Sequence, residues 1–288
     1  MAKIADLLAA GRTFSFEFFP PRTDEEQARL VRTLRDLEPL DPSFVSVTYR
    51  GGRSSRDRTT NLVTGMLRTT SLTPMAHLIC VAHSRLELAE ILVDLRRGGV
   101  ENLMALGGDP PTDPDAGPGE LMHAIELVEL ARAIGGFSIG VAAHPQGHPR
   151  SPDRPSDRRH LVEKLRVADF AVTQFFFRCD DYLELMDDLA PLDIDKPIVP
   201  GIMPITSLGS VKRMAELSGY EVPPEVVERI EKAGEDPAAV RRAGVDVATE
   251  LCQQLLDAGA PGLHFYTLNR STATREIYTN LGLGPAGG

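Results

Sequence analysis

Apolar residues recur along this chain in two alternating patterns, and the alternation predicts strands separated by helices. Eight short runs are rich in aromatic and β-branched residues, and helical periodicity fills most of the chain between them. The runs cover residues 14–19, 44–49, 75–81, 102–109, 138–143, 170–177, 197–205 and 262–268. Eight strand–helix units predict an α/β fold, a single (β/α)8 TIM barrel that forms one domain over residues 1–288. A doubly wound open sheet is the alternative, although no Gly-x-Gly-x-x-Gly motif follows the first strand.

Capping residues mark where several of the predicted helices begin. Thr23-Asp-Glu-Glu26 is a capping box, and Ser84 stands at the start of a later helix. The buried side of the helix after Thr23 is predicted to carry Leu30, Val31, Leu34 and Leu37. Residues 207–258 are predicted to be helical with breaks near 219–224 and 237, which places extra helices before the last strand.

Composition narrows the class of protein. The chain has a formal net charge of −10, so general binding to nucleic acid is not expected. Its three cysteines are scattered without metal-type spacing, which is typical of a reducing cytoplasm. Residues 1–11 read as a short amphipathic helix, too short and too charged for a signal peptide or a membrane span. We therefore expect a cytoplasmic protein without a membrane partner or a metal site, and the pattern does not define an oligomeric state.

The first strand carries one carboxylate inside an aromatic run, Phe14-Ser-Phe-Glu-Phe-Phe19. Alternation places Ser15, Glu17 and Phe19 on one face of the strand and the other three phenylalanines on the opposite face. Burial of a carboxyl group favours its neutral, protonated form, which is the form that a general acid needs. Glu17 is therefore a candidate general acid. The alternative is a strand-end glutamate that reaches solvent or pairs with an arginine.

Polar residues cluster at the carboxyl ends of the predicted strands, where (β/α)8 barrels build their sites. The candidates are Glu17, Thr48, Tyr49, His77, Asp109, His144, His148, Gln174, Tyr266, Asn269 and Arg270. Gln174 is the hardest to explain structurally, because a neutral amide inside an apolar strand needs partners that a heterocyclic ligand supplies. The alternatives are a turn cap for Asp109, a core histidine for His77 and a surface helix start for Arg270. Few carboxylates, one amide and many aromatic residues favour a flat, uncharged heterocycle over phosphoryl transfer.

Six motifs in this chain resemble those of methylenetetrahydrofolate reductases. They are Phe16-Glu-Phe-Phe-Pro-Pro21, Phe44-Val-Ser-Val-Thr-Tyr49, Gly108-Asp109, Thr173-Gln-Phe-Phe176, Pro200-Gly-Ile-Met-Pro204 and His264-Phe-Tyr-Thr-Leu-Asn-Arg270. Each motif is weak alone, but the set occurs in order over nearly the whole chain. The length resembles the bacterial form, which consists of the catalytic domain without a C-terminal regulatory domain.

The resemblance implies a barrel enzyme that reduces 5,10-methylenetetrahydrofolate to 5-methyltetrahydrofolate with NADH or NADPH. Glu17 matches the general acid of the family. In that role it protonates N10 of the folate, so that the five-membered ring opens to an N5 iminium, which accepts the hydride. The position of Glu17 in its strand and the resemblance to the family lead to the same interpretation. In both, Glu17 is a buried acid that protonates a leaving nitrogen.

Other positions match ligand-binding residues of the family. Asp109 matches a carboxylate that contacts the pterin, and Gln174 matches an amide that contacts both folate and nicotinamide. Thr48 matches a residue near the nicotinamide. Tyr266 and Arg270 lie in the motif of the last strand that contacts substrate, and Arg270 is suited to the glutamate tail of the folate.

Members of this family usually hold FAD, and the chain both keeps and changes the expected contacts. The matching positions are Tyr49, His77, Asp109, Ala124, Asp157 and Lys164, with Lys164 suited to the pyrophosphate. The changed positions are Gly107 for an arginine, His144 for a tyrosine, His123 for an aromatic residue and His160 for an asparagine. We therefore expect FAD to bind weakly or not at all, with direct hydride transfer from NAD(P)H to the folate, and the acidic charge favours NADH. The alternatives are a conventional FAD enzyme and a non-catalytic barrel that binds folate or nucleotide.

Overall fold

The strands predicted from the sequence form one parallel sheet that closes into a barrel. The computed structural model describes residues 2–49, 53–109, 117 and 119–283, with the backbone alone for 53–57. The strands are β1 (Thr13–Phe18), β2 (Phe44–Val47), β3 (Pro74–Ile79), β4 (Asn102–Leu106), β5 (Ser138–Ala143), β6 (Phe170–Thr173), β7 (Ile198–Val199), β8 (Gly201–Ile202) and β9 (Gly262–Tyr266). Their order in the sheet is β7-β6-β5-β4-β3-β2-β1-β9-β8, and each pair is parallel. The predicted α/β barrel is confirmed.

The seventh predicted strand, residues 197–205, is two short strands on either side of Pro200. The first, β7, pairs with β6, whereas the second, β8, pairs with β9. Proline has no backbone N–H to donate, so the ladder is interrupted there, while Pro200 O still accepts from the backbone N–H of His264 at 2.9 Å. Together the two strands form one stave, meaning one strand position of the barrel, which lies between β6 and β9. The sequence predicted one continuous strand over residues 197–205. The structure has two short strands within that range, so the position was correct and the continuity was wrong.

Close packing at this stave requires a glycine at position 201. A Cβ atom there would lie 2.3 Å from Thr173 O and 2.6 Å from the ring of Tyr266. Both distances are far below van der Waals contact, so a larger residue would displace the tyrosine or the end of β6. The glycine lets the Tyr266 side chain reach β6, where its hydroxyl donates to Thr173 O.

Helices connect most consecutive strands. They are α1 (Ile4–Ala10), α2 (Asp24–Leu37), α3 (Arg53–Thr69), α4 (Arg85–Arg97), α5 (Ala124–Ile134), α6 (Arg154–Val167), α7 (Cys179–Leu189), α8 (Leu208–Leu217), α9 (Pro224–Glu231), α10 (Pro237–Asp257) and α11 (Thr272–Asn280). Thr23 caps α2 by accepting from the backbone N–H of Glu26, and Ser84 forms a capping box with Glu87 at the start of α4. The three helices α8, α9 and α10 are the predicted extra helices before the last strand.

The predicted buried face of α2 was partly wrong. Leu30, Thr33 and Leu37 are buried, whereas Val31 is 44% exposed. Residues at spacings of three and four share one side of a helix, so Val31 is turned about 100° away from Leu30. Thr33 is buried beside the two leucines, and its hydroxyl is satisfied there because it donates to Asn269 O at 3.0 Å.

Several predicted strands are shorter than expected at their carboxyl ends. The strand predicted over 102–109 ends at Leu106, and the one over 170–177 ends at Thr173. Gln174 therefore follows β6 instead of lying within it, although its backbone N–H still donates to Ala143 O at 2.8 Å. The polar ends of these runs belong to the loops of the barrel mouth. Residues 110–116 and 118 of the loop after β4 lie outside the described residues.

The amino ends of the strands are closed by α1 and by apolar side chains. The backbone N–H groups of Ile4 and Ala5 donate to the side chains of Asn102 at 2.9 Å and Ser138 at 3.0 Å. Ile4 packs inside the barrel with Phe44, Met75, Met104, Phe170, Val172 and Val199. Polar inward-facing side chains are thus left to the carboxyl ends, where the candidate site lies. Within the described ranges, no helix has the length and apolar character needed to cross a membrane.

Candidate functional site

Glu17 projects from β1 into the barrel and is only 8% exposed. Its strand lies between β2 and β9, in register with Ser46 and Tyr266. One carboxylate oxygen, Oε2, lies 3.4 Å from Ser46 Oγ, 3.5 Å from His77 Nε2 and 3.7 Å from His264 Nε2. We call Glu17, Ser46, His77 and His264 the acid cluster. Three strands converge on this one carboxyl group.

The acid cluster contains no fixed positive charge. Burial lowers the pKa of His77 to about 4, and the neighbouring Glu17 offsets only part of this effect. His77 is therefore neutral near pH 7, and its contact with Glu17 is not an ion pair there. No lysine or arginine within the described residues lies within ion-pair distance of Glu17. His77 Nε2 is buried and has no hydrogen-bond partner in the described part of the chain.

A chain of buried side chains supports the carboxyl group from within the barrel. Ser46 Oγ donates to Glu17, so its lone pair is left to accept from His264 Nε2 at 3.3 Å. On the other side of the ring, His264 Nδ1 lies 2.7 Å from Ser15 Oγ, whose hydroxyl also lies 3.4 Å from Leu263 O. All three supporting residues are at most 1% exposed. Ser46 thus donates one hydrogen bond to Oε2 of Glu17, and the other carboxylate oxygen is left for a ligand.

Thr48 and Tyr49 follow β2, but they face different neighbours. Thr48 Oγ1 is buried without a hydrogen-bond partner among residues that the structure describes. Tyr49 packs in the outer core between sheet and helices, and its hydroxyl lies 2.7 Å from His83 Nε2. The Thr48 hydroxyl is therefore available for the predicted contact with a ligand, whereas the Tyr49 hydroxyl already has His83 as a partner.

Two histidines and a tyrosine form a second group at the end of β5, which we call the imidazole cluster: His144, His148 and Tyr220. Tyr220 donates its hydroxyl hydrogen to Gly147 O at 3.2 Å, so the 2.6 Å contact with His144 Nδ1 places the histidine proton on Nδ1. His148 Nδ1 accepts from the backbone N–H of Arg150 at 3.0 Å. Both ring tautomers are therefore fixed by the protein.

The imidazole cluster is electrically neutral at physiological pH. Burial lowers the pKa of His144 to about 3, and the nearby His148 adds to the effect. Burial and Arg150 also lower the pKa of His148. The two rings meet edge to face with centroids 4.5 Å apart. Each of the two rings therefore packs closely on the other and has a hydrogen-bond partner of its own, Tyr220 for His144 and the backbone of Arg150 for His148.

Asp157 and Lys164 lie on α6 beside this cluster. Lys164 Nζ donates to Ala142 O at 2.7 Å, and burial lowers its pKa to about 8. Asp157 accepts from the backbone N–H of His148 at 3.0 Å and pairs with Arg158 at 2.8 Å. Both residues are near the predicted site, but Asp157 already bonds to the loop after β5 and Lys164 to the end of β5 itself.

A cation lies at the turn after β4, although the motif has Gly107 in place of an arginine. Arg150, from the loop after β5, donates Nη2 to Gly108 O at 3.1 Å. The expected loss of positive charge at this turn is therefore offset from another loop, which corrects the interpretation from Gly107 alone. Gly107 faces the start of α5, where a Cβ atom would lie 3.9 Å from the backbone nitrogen of Ala124. Asp109 is exposed at the mouth and acts electrostatically on His148.

The other two changed positions face solvent. His123 is exposed ahead of α5. His160 on α6 is 67% exposed and lies 3.5 Å from Glu163. Neither side chain belongs to the acid cluster or the imidazole cluster. Their substitutions therefore carry little information about a ligand at the barrel mouth.

The remaining predicted residues lie across the mouth, between β6 and β9. Gln174 is half-buried, and its Nε2 lies 3.5 Å from Ser218 Oγ. Burial raises the pKa of Tyr266 well above its usual value, so its hydroxyl stays neutral. Arg270 is exposed and lines a pocket of about 280 Å³ together with Tyr266.

Two kinds of site residue were missed from the sequence. Ser46 and His264 lie two residues before Thr48 and Tyr266, so a stricter use of the period of two along inward-facing strands would have found them. Tyr220 follows Gly219 in the turn after α8, and no local pattern marks it. Within the ranges 2–49, 53–109, 117 and 119–283, no three His, Cys, Asp or Glu side chains are arranged to hold a metal ion.

Comparisons with known proteins agree with the geometry. A family model for methylenetetrahydrofolate reductase matches residues 3–282. The 5,10-methylenetetrahydrofolate reductase of Pectobacterium carotovorum subsp. carotovorum is 35% identical over 275 residues, covering 94% of this chain and 90% of that protein. The Salmonella typhimurium protein of the same name is 36% identical over 272 residues, with 94% and 91% covered. A probable methylenetetrahydrofolate reductase (NADH) from Oryza sativa subsp. japonica is 33% identical, and the match covers 98% of this chain but 50% of that protein.

A solved structure supports the fold separately. An uncharacterized protein from Clostridium thermocellum, which binds two copies of 5-methyl-5,6,7,8-tetrahydrofolic acid, superposes with a TM-score of 0.65. The superposition covers 97% of this chain and 96% of that chain at 11% identity, so it bears on the fold alone. The family match and the relatives above 30% identity extend along nearly the whole sequence, and the chain therefore belongs to the methylenetetrahydrofolate reductase family.

Proposed function

We propose that this chain reduces 5,10-methylenetetrahydrofolate to 5-methyltetrahydrofolate with NADH or NADPH, and that Glu17 is the general acid. The names of the relatives support the reaction. The observation that carries the role of Glu17 is its burial without a lysine or arginine partner among the described residues. A buried carboxyl group that is not held by a cation is free to contact the ligand atom to which a general acid gives its proton.

The proton and the hydride go to different atoms of the folate. Glu17 gives its proton to N10 as the bond between N10 and the methylene carbon breaks, which leaves an N5 iminium. The hydride from the reduced nicotinamide then adds to the methylene carbon, forming the N5 methyl group. One proton and one hydride are consumed, and Glu17 is left as a carboxylate that solvent reprotonates. Ser46 holds the carboxyl group in place through the whole step.

Unpartnered polar atoms at the barrel mouth support a heterocyclic ligand. Thr48 Oγ1 and His77 Nε2 are buried without partners in the described residues; His77 belongs to the acid cluster, and Thr48 follows its Ser46 by two residues. The carboxamide of a nicotinamide, or the ring N–H and C=O groups of a pterin, would satisfy them. Gln174 and Asp109 lie at the same mouth, after β6 and after β4, and would orient the two rings. Close approach of the rings is what hydride transfer needs.

The residues that the family uses for FAD fit a tightly held flavin poorly in this chain. Four of them already have hydrogen-bond or ion-pair partners within the protein: Tyr49 with His83, His144 with Tyr220, Asp157 with Arg158 and Lys164 with Ala142 O. We therefore propose that the hydride passes directly from the nicotinamide to the folate. The acidic net charge of −10 disfavours the 2′-phosphate of NADPH, so NADH is the proposed donor.

The first test is an absorbance spectrum of the purified protein, followed by NADH oxidation with methylenetetrahydrofolate and no added flavin. The proposal expects a colourless protein that turns over and gains nothing from added FAD. A stoichiometric flavin spectrum with turnover would make the chain a conventional FAD enzyme. No turnover under either condition, with folate still bound, would favour a non-catalytic folate-binding barrel.

A further inference from the structure

Glu17 lies at the point of β1 where the backbone pairing with β9 ends. In the parallel ladder between these two strands, the last pair is Glu17 with Tyr266. Phe19 is followed by Pro20 and Pro21, which have no backbone N–H with which to continue a ladder. The end of a strand has fewer ladder bonds than its middle, so other groups must satisfy and hold its backbone. The position of Glu17 therefore depends on contacts beyond the ladder.

Side chains of the loop after β9 take the place of the ladder at the end of β1. Thr267 Oγ1 donates to the backbone oxygen of Glu17 at 2.6 Å. Asn269 binds both backbone groups of Phe19, because its Oδ1 accepts from the N–H at 2.8 Å and its Nδ2 donates to the oxygen at 2.9 Å. Thr267 Oγ1 also accepts from the backbone N–H of Asn269 at 3.2 Å, which joins the two residues. We call Thr267 and Asn269 the β1 clamp.

The loop that carries the β1 clamp has a left-handed backbone at two consecutive residues. The φ angles are 51° at Leu268 and 55° at Asn269. Asparagine tolerates this conformation better than most residues, whereas for leucine it is costly and persists only where surrounding contacts hold it. Leu268 packs against the apolar cluster that contains Phe175 and Met203, which supplies such contacts. The turn is therefore kept in the shape in which the Asn269 side chain reaches Phe19.

Helix α2 holds the same loop from the outside of the barrel. Thr33 Oγ1 donates to Asn269 O at 3.0 Å, and Ser271 Oγ donates to Asp36 at 2.8 Å. Thr33 is only 4% exposed, so its bond is shielded from water. Since α2 is the helix that follows β1 in the chain, the end of β1, α2 and the loop after β9 form one closed set of contacts.

The contacts of the Glu17 side chain do not fix the carboxyl group by themselves. Its Oε2 lies between 3.4 and 3.7 Å from Ser46, His77 and His264, which are distances of weak contacts. A general acid must come within about 2.6–3.2 Å of the atom that takes its proton, and a misplacement of about 1 Å can cost about 10²-fold in rate. The placement of the carboxyl group therefore depends on the backbone that the β1 clamp holds.

We propose that Asn269, together with Thr267, is a positioning residue for proton transfer by Glu17 and acts through the backbone of β1. This inference rests on the proposed function, since it takes Glu17 to be the acid of that reaction. Asn269 has no part in the chemistry, because its amide is bonded to Phe19. In this it differs from Arg270, the next residue, whose predicted role is contact with substrate. Loss of the amide should therefore lower kcat and leave ligand binding unchanged.

The test is Asn269→Gly, because glycine takes a left-handed backbone without cost and only the amide is lost. The kcat of NADH oxidation with methylenetetrahydrofolate is expected to fall about tenfold. The dissociation constants of NADH and of 5-methyltetrahydrofolate, measured by titration calorimetry, are expected to stay unchanged. Thr267→Val removes the bond to Glu17 O at nearly constant size and should lower kcat by a smaller factor. This second variant decides the test if the glycine variant does not fold.

Asn102→Ala is the matched control, because the Asn102 amide makes the same pair of backbone bonds at the opposite end of the barrel. Its Oδ1 accepts from the backbone N–H of Ile4 at 2.9 Å, and its Nδ2 donates to Ala2 O at 3.1 Å. Both asparagine variants should lower the free energy of unfolding in urea, since each loses two hydrogen bonds. Only Asn269→Gly should lower kcat.

The outcomes separate the positioning role from the proposed function. Equal falls in kcat for Asn269→Gly and Asn102→Ala would assign the effect to the stability of the barrel and overturn the positioning role. An unchanged kcat in both β1 clamp variants would overturn it too, as would a loss of folate affinity at unchanged kcat. In each of these cases the parent protein still turns over, so the reductase proposal stands. A parent protein that does not reduce methylenetetrahydrofolate would overturn the proposed function, and the positioning role with it.

Discussion

The acid cluster and the imidazole cluster are both buried at the barrel mouth, but their polar atoms are held very differently. Around Glu17 the contacts are long, between 3.4 and 3.7 Å, and His77 Nε2 has no partner in the described residues. Around His144 the contacts are short, with Tyr220 at 2.6 Å and Arg150 to His148 at 3.0 Å. Loosely held atoms are able to exchange partners with a ligand, whereas tightly bonded ones stabilise the fold.

The difference separates two uses of a buried titratable group. In the acid cluster the carboxyl group keeps one oxygen free and lacks a nearby lysine or arginine among the described residues, which suits proton transfer. In the imidazole cluster each ring is neutral with a fixed tautomer, which suits the shaping of a loop. Variants in the first cluster are therefore expected to change turnover, and variants in the second are expected to change stability.

The largest expected effect is on turnover in Glu17→Gln. Glutamine keeps the size of the side chain but has no proton of suitable acidity, so kcat should fall by about 10²- to 10⁴-fold. Binding of NADH and of 5-methyltetrahydrofolate should remain, and steady-state kinetics with calorimetry measure both. Retention of more than a tenth of the parent kcat would contradict the role of Glu17.

The second prediction concerns pH and the neutral histidine of the acid cluster. His77 has a pKa of about 4 in the folded chain against an ordinary 6.5, so below pH 6.5 the unfolded state binds more protons. The free energy of unfolding should therefore fall as the pH drops from 6.5 to 4, with a contribution from His77 on the order of 3 kcal/mol. In urea denaturation across this range, His77→Gln should flatten the dependence. An equal flattening by His160→Gln, a surface substitution, would contradict the assignment to burial.

The third prediction tests the imidazole cluster through Tyr220→Phe. The change removes the hydroxyl that joins His144 to Gly147 O, and the free energy of unfolding should fall by about 1–2 kcal/mol. Tyr278→Phe is the matched control, because the Tyr278 hydroxyl is buried without a partner among the described residues. That control should be neutral or stabilising in the same urea measurement. Similar losses in both variants would mean that the His144 contact adds nothing.

The smallest expected effect is that of Ser46→Ala. Loss of the hydroxyl that donates to Glu17 should lower kcat about fivefold with little change in KM, since one modest hydrogen bond of about 1 kcal/mol is removed. Ser138→Ala removes an equally buried serine at the amino end of β5 and should leave kcat unchanged. A change in KM alone for Ser46→Ala would indicate a role in ligand binding instead of support for Glu17.

Local patterns predicted most of the barrel because they depend on neighbours in the chain. Caps at Thr23 and Ser84 work within one helical turn, and they were predicted correctly. The inward face of Glu17 follows from the period of two along a strand. Strand ends were less predictable, because residues such as Gln174 continue an apolar run after the sheet pairing has stopped.

The candidate site was predictable one residue at a time, but its contacts were not. Ser46, His77 and His264 contact Glu17 from three other strands, and His264 contacts Ser15 from 249 residues away, so only the closure of the barrel brings them together. Arg150 replaces a charge at Gly108 from a loop 42 residues away. A single sequence records each side chain but not the pairing between distant ones.

The sequence by itself determined the order of strands and helices, the inward position of Glu17 and the polar rim of the mouth. These features depend on periodicity, capping and proline, which act over a few residues. The tertiary structure alone decided that Pro200 divides a stave, that Tyr220 binds His144, and that Arg29 and Arg270 line one pocket. Such contacts depend on how the sheet closes and how helices pack on it, and the energies that choose them are spread over the whole core.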